Sequence, residues 1–245
     1  MNRTPRPSSG LLPALALLPA LLAAGDGPRG AQLPGKQSRE VTLLPNGWRI
    51  SPAGRHLTVG DLPLAMLESA DGRHVVVGSN GWMKPTLTVI DVRNFYVKSK
   101  LTVDHAWLGL AWSPDGRRVY SSGGGDNSVR EYRFEAATLL PDRTFVLTRP
   151  AKESFLGGLS LTPDGTRLFA VHALGELLSA VDLRSGRVVK TVPLPAEAYT
   201  SVVSPDGKTL YVSLWGGARV LLFDPATLER QGEVPVGEHP NAMAL

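Results

Sequence analysis

The sequence contains no cysteine, which excludes disulfides, thiolate metal sites and a lipid anchor on an N-terminal cysteine. Histidine is scarce: His56, His74, His105, His172 and His239 are the only five, and they never fall at ligand spacing along one element. There is no Gly-x-Ser-x-Gly elbow, His-Glu-x-x-His pair, Walker loop or dinucleotide fingerprint, so the motifs of the common catalytic centres are missing. Basic residues form no run. The formal charge of +4 drops to +2 once Arg3 and Arg6 are set aside. The remaining Lys and Arg are scattered without interleaved aromatics, which argues against a nucleic-acid partner. Neither catalytic nor metal-ligating residues can be assigned, and no cofactor is implied.

Long hydrophobic runs are limited to one. Arg3 and Arg6 precede an uncharged stretch over residues 11–24 that ends in small residues, the layout of a secretory signal peptide. Fourteen residues interrupted by Pro13 and Pro19 are too few to cross a bilayer as one helix. The expectation is a signal peptide over 1–25, a linker over 26–40, and an exported protein, periplasmic or extracellular, with no membrane span after cleavage.

Beyond residue 40 the chain repeats itself. Ser69-Ala70-Asp71-Gly72, Ser113-Pro114-Asp115-Gly116, Thr162-Pro163-Asp164-Gly165 and Ser204-Pro205-Asp206-Gly207 are copies of one turn, with aspartates 44, 49 and 42 residues apart. That period fits one four-stranded propeller blade. Proline presets the first corner, Asp bonds backbone two residues on, and Gly accepts the left-handed conformation. Runs such as Gly158-Leu159-Ser160-Leu161 before the turn and Leu168-Phe169-Ala170-Val171 after it read as strands, and no helical period intervenes. Third strands end at Asp91, Asp182 and Asp224; fourth strands are expected at 97–103, 144–147, 188–192 and 231–234.

The stretch 236–243 repeats 59–66 at an offset of 177 residues, which leaves room for four blades between. The fold expected is an all-β, incomplete β-propeller of four-stranded blades over 41–245. It comprises a partial blade at 41–59, with strands at 41–44 and 56–59. Blades follow at about 60–103, 104–148, 149–193 and 194–236, and the start of another at 237–245. Blades bury their apolar faces against neighbours, so further blades of a seven-bladed ring are expected outside this sequence.

The repeat resembles the bacterial YVTN-type (YncE-like) propeller repeat, through Tyr211-Val212-Ser213-Leu214 and, more loosely, Val77-Gly78-Ser79-Asn80. Leu44-Pro45-Asn46-Gly47-Trp48 with Gly60-Asp61-Leu62-Pro63 is similar to a secreted subset in which the propeller precedes an alkaline-phosphatase-like phosphoesterase domain. The resemblance implies such a domain beyond these residues. Its metal-binding and nucleophilic residues have no counterpart here.

In such a blade the copied turn points to one face, and the other connections point to the opposite face, where binding sites of rigid β scaffolds sit. Asp61, His105, Glu153, Glu197 and His239 fall at near-equivalent places beside the innermost strand, with Trp107 among them. Outer loops add Asn80, Trp82, Asp126, Asn127, His172 and Trp215. These twelve are the candidate ligand-binding residues; each also reads as a solvated or structural loop residue. The glycines at 123–125 suit a phosphate-cradling loop or simply a tight hairpin. The leading expectation is a non-catalytic module that binds a small molecule, glycan or protein and organises neighbouring domains. The alternative is a propeller enzyme of lactonase or quinoprotein type, with Glu153, Glu197, His105 and His239 as acid–base groups. A surface adhesin using Trp82 and Trp215 is a third possibility.

Overall fold

A computed structural model describes residues 32–51, 53–147 and 154–244; the expected signal peptide and Glu153 lie outside the described residues. The chain divides into two compact units, Met1–His56 and Leu57–Leu245. In the first, β1 (Gly35–Lys36), β2 (Thr42–Leu43) and β3 (Arg49–Ile50) form an antiparallel sheet. The β2–β3 hairpin turns through Pro45-Asn46-Gly47-Trp48. There Gly47 N donates to Leu44 O at 2.9 Å and Asn46 Oδ1 accepts from Trp48 N at 3.1 Å. That turn makes 49–50 the partner of β2, and residues 56–59 form no strand.

The second unit is built of four antiparallel four-stranded sheets. The first holds β4 (Pro63–Glu68), β5 (His74–Ser79), β6 (Thr86–Asp91) and β7 (Tyr96–Thr102). The second holds β8 (Leu110–Trp112), β9 (Arg118–Ser122), β10 (Ser128–Glu135) and β11 (Thr138–Val146). The third holds β12 (Leu156–Leu161), β13 (Arg167–His172), β14 (Leu177–Asp182) and β15 (Arg187–Pro193). The fourth holds β16 (Ala198–Val203), β17 (Leu210–Leu214), β18 (Arg219–Phe223) and β19 (Arg230–Pro235). Strand order in each sheet is chain order. The first strands β4, β8, β12 and β16 touch in succession and share a hollow of about 750 Å³. These sheets are the blades of a β-propeller. Among the described residues the one helical element is a 3-10 turn at Gly124–Asp126, and no helix is long and apolar enough to cross a membrane.

The copied turn is the same object four times. Its first hydroxyl donates to the aspartate: Ser69 to Asp71 at 2.7 Å, Ser113 to Asp115 at 2.5 Å, Thr162 to Asp164 at 2.5 Å and Ser204 to Asp206 at 2.6 Å. The same hydroxyl accepts an N–H at the start of the returning strand, from His74, Arg118 and Arg167, or from the residue just before it, Thr209. Each aspartate in turn accepts the amide two residues on. Every turn glycine is left-handed, with φ between 66° and 71°, where a Cβ is strained. The four positions therefore follow from one hydrogen-bonded geometry that ties both strands.

Packing explains the apolar runs. Successive residues of a strand point to opposite faces, and both faces of an inner blade are buried. Leu168 and Ala170 of β13 pack with Tyr120 and Val129 of the second blade, while Phe169 and Val171 pack with Leu210 and Val212 of the fourth. A third cluster joins Val76, Leu87 and Val89 to Val119 and Tyr132 across the first seam. Each wholly buried Leu or Phe contributes about 1.5–3 kcal/mol. At the innermost strands space is short: a Cβ on Gly158 would fall 2.6 Å from Thr200 Cα.

The second blade departs from the sequence expectation. Its fourth strand begins at Thr138, well before 144, because β10 and β11 form a long hairpin closed by Ala136 and Ala137 at φ 47° and 59°. Both central residues at positive φ mark a type I′-like turn, normally a task for Asn-Gly. Ala137 is buried in the seam, and Ser99 Oγ of β7 donates to its carbonyl at 2.7 Å. Tertiary contacts thus hold a turn that its own residues disfavour.

Candidate functional site

Opposite the copied turns, connections from the second, third and fourth blades enclose a pocket of about 340 Å³ walled by Trp107, Phe155, Leu174, Tyr199 and Trp215, with Glu197 at its edge. Local structure places each wall. Trp107 N donates to Ser122 O at 2.8 Å, tethering that loop to β9. Phe155 immediately precedes β12 and lies over the glycine loop; a Cβ on Gly124 would sit 2.9 Å from Phe155 Cζ. Glycine there admits the ring, which meets Trp107 edge-on at 5.1 Å and 88°, a favoured aromatic geometry. Trp215 follows β17, and its loop is held by Gly216 N donating to Glu197 O at 3.2 Å. Its indole stacks with Tyr199 at 5.5 Å and with His239 at 4.7 Å. His239 Nδ1 also lies 3.2 Å from Trp215 O. Trp215 borders a second cavity of about 610 Å³, which Arg219, Glu238 and His239 also line.

Beside this pocket runs a buried polar chain. His172 is wholly buried, its Nδ1 3.0 Å from Ser154 Oγ and its Nε2 2.9 Å from Ser179 Oγ. Ser179 meets Thr191 Oγ1 at 3.0 Å, and Ser154 donates to Asn127 Oδ1 at 2.9 Å. Asn127, left-handed at φ 53°, belongs to the second blade and the other members to the third, so the chain is a latch between blades. Burial pushes the His172 pKa down to about 4. Such an imidazole stays neutral and is too weak a base to activate Ser154 near neutral pH.

The remaining candidates are placed apart from the pocket lining. Asp61 Oδ2 accepts from Met83 N at 2.9 Å. The Met83 amide foremost, with those of Trp82 and Gly81, holds its carboxyl below the usual range against an opposing desolvation. Asn80 N donates to Leu62 O at 3.1 Å, and Trp82 on this braced loop is 99% exposed. The exposed His105 offers its carbonyl to Arg130. Asp126 is bound by Arg130 at 2.5 Å and by Ser128; burial raises its pKa, but these hydrogen bonds win and it titrates low. A carboxylate turned onto its own loop closes the 123–127 segment as a hairpin. Among the described residues no three His, Cys, Asp or Glu side chains gather so as to hold a metal ion.

The sequence reading missed Phe155 and Tyr199. Both, like Trp107, stand within three residues of the start of an innermost strand. An aromatic at that entry in three consecutive repeats was the available signal. It also missed Glu131, whose buried carboxylate meets Arg118 at 2.8 Å and Arg143 at 2.6 Å; Arg143 reaches on to Leu183 O at 3.0 Å and clasps the next blade.

A model of the SMP-30/gluconolactonase/LRE-like region matches residues 36–216. The chain belongs to this family. Comparison with curated proteins gives no match. Among solved structures the chain is similar to hydrazine synthase of Kuenenia stuttgartiensis, with TM-score 0.62 and 20% identity over 76% of this chain and 53% of that one. A functionally unknown protein of Desulfotomaculum acetoxidans gives TM-score 0.63 and 18% identity over 80% of this chain and 63% of that one. A chain of the mitotic checkpoint complex gives 0.58 and 17%, over 71% and 51%. These likenesses show the propeller fold, and the chain spans between half and two thirds of the length of these three structures. Family membership adds a name that includes gluconolactonases to a pocket already drawn by its residues.

Proposed function

We propose that this propeller segment is a binding module for a small organic ligand, taken up in the pocket between Trp107 and Trp215. The observation that carries this reading is the convergence of four aromatic rings from three blades on one 340 Å³ pocket, within the size range of small-molecule sites. Aromatic rings on short loops tethered to the strands present large contact area at little entropic cost. Tryptophan fluorescence of the protein against a panel of small ligands tests it. We expect a saturable response that Trp215→Ala and Trp107→Ala each weaken by about tenfold or more, and that Tyr96→Ala, on the outermost strand of the first blade, leaves unchanged. A panel hit that ignores both tryptophan variants would overturn the proposal.

A second reading, lactone hydrolysis, is favoured by the family match over residues 36–216. Glu197, which lines the pocket, and His239, stacked on Trp215, are then the acid–base candidates. Turnover of an aldonolactone that Glu197→Gln or His239→Asn abolishes would put it ahead of pure binding. We also propose that the protein is exported, on the strength of the arrangement of Arg3, Arg6 and residues 11–24. The YVTN-type repeat and a partner phosphoesterase domain remain part of this proposal, supported by Tyr211-Val212-Ser213-Leu214 and the Leu44–Trp48 stretch.

A further inference from the structure

The walls of the pocket differ from those of a sugar site in what they lack. A sugar ring presents hydroxyls all round and needs a matching set of donors and acceptors. Here, among the described residues, the lining is mostly aromatic, aliphatic or glycine, and its only polar side chains are the Tyr199 hydroxyl, the Trp107 and Trp215 indole N–H groups and the Glu197 carboxylate. Among the described residues no Lys, Arg or His lines this pocket, and the one formal charge of the described lining is negative. Glu197 is exposed at the edge, and no hydrogen bond or ion pair engages its carboxylate among the described residues.

Aromatic faces carry negative quadrupoles that attract a cation poised over them. A carboxylate within the same site adds Coulombic attraction that grows as water is excluded. An anionic ligand would meet repulsion from both, and a purely neutral one would leave Glu197 idle. From these walls and this single charge we infer that the pocket takes an organic ammonium head, a tertiary or quaternary alkylammonium small molecule, with its methyl groups against Trp107, Phe155, Tyr199 and Trp215 and its charge facing Glu197. The inference rests on the pocket being the binding site, as proposed above, and specifies what enters it.

The test compares choline with 3,3-dimethylbutan-1-ol, its neutral carbon isostere, by intrinsic fluorescence and by calorimetry at low ionic strength. We expect choline to bind at least about tenfold more tightly than the isostere. Glu197→Gln, at an exposed position that folding does not depend on, is expected to erase most of that preference while the isostere binds as before. Trp215→Phe is expected to keep the preference and Trp215→Ala to lose it. Equal binding of choline and the isostere, or a preference that survives Glu197→Gln and Trp215→Ala, overturns the ammonium assignment. If neither binds while a neutral panel ligand responds to Trp215→Ala, the assignment falls and the pocket stands. If a panel ligand binds with no response to either tryptophan variant, the pocket reading falls as well.

Discussion

The two ends of the blades are built on opposite plans. At the turn end, four copies repeat one hydrogen-bond pattern, in which the hydroxyl and the amide two residues on both donate to the aspartate. At the other end no two loops agree: a carboxylate braces the exposed Trp82, a 3-10 turn folds Asp126 onto Arg130, a buried imidazole bridges serines, and an indole stacks on two rings. Repetition marks what any blade needs to reverse its chain. Individuality marks where the molecule can differ from other propellers, and the aromatic pocket lies there.

The largest expected effect separates the two ends by pH. The His172 pKa is about 4 in the fold against 6.5 when unfolded. Above pH 6.5 both states hold it neutral and stability does not depend on it. Between 6.5 and 4 the unfolded chain takes up a proton that the fold refuses, so stability falls, by about 3 kcal/mol in all. The turn aspartates behave in the same sense but in a lower pH window: hydrogen bonds from Ser69, Ser113, Thr162 and Ser204 depress them. Their contribution is complete above the ordinary carboxylate value of 3.8 and is lost only as pH falls through their lower folded values. Urea denaturation across pH 3–7 should therefore show an upper decline that His172→Gln removes and a lower one that it leaves. A His172→Gln protein whose stability falls as steeply between pH 6.5 and 4 as the parent would refute the latch.

Next in size are two glycines, one from each end. Gly207 closes a copied turn at φ 71° with ordinary clearance to Pro163, so Gly207→Ala bears backbone strain of about 1–2 kcal/mol. Gly216 in the Trp215 loop has no left-handed φ, and a Cβ there meets nothing nearer than 3.5 Å; Gly216→Ala should stay within about 0.5 kcal/mol. Denaturation midpoints decide the pair. Equal losses would mean that the turn geometry is not what fixes glycine in the repeat.

The same contrast explains what the sequence made legible. The blades could be read because Asp-Gly turns recur at blade spacing and because buried strands are continuous apolar runs such as Leu168 to Val171. The Ala136-Ala137 hairpin could not, since a buried carbonyl bonded to Ser99 from another blade stabilises it. At the loop end, Trp107, Trp215 and Glu197 stood out as singular residues. Phe155 did not, because an isolated Phe before a strand looks like core. Only the glycines at 124 and 125 beneath its ring make it a wall. His172 looked like a ligand in sequence. Its burial between Ser154 and Ser179 depends on a seam between blades that no local pattern announces.

The smallest expected effect tests whether the individual loops are rigid or merely irregular. Asp61 gathers the amides of residues 81–83, and nothing else described fastens the Met83 amide. Asp61→Ala should leave the denaturation midpoint unchanged, since the group is solvated and the blade seams do not involve it. Amide exchange at Met83 should quicken, and the emission of Trp82, already 99% exposed, should lose anisotropy as its loop frees. Unchanged exchange at Met83 would mean that the backbone alone shapes this loop, and the carboxylate would then be available for a ligand after all.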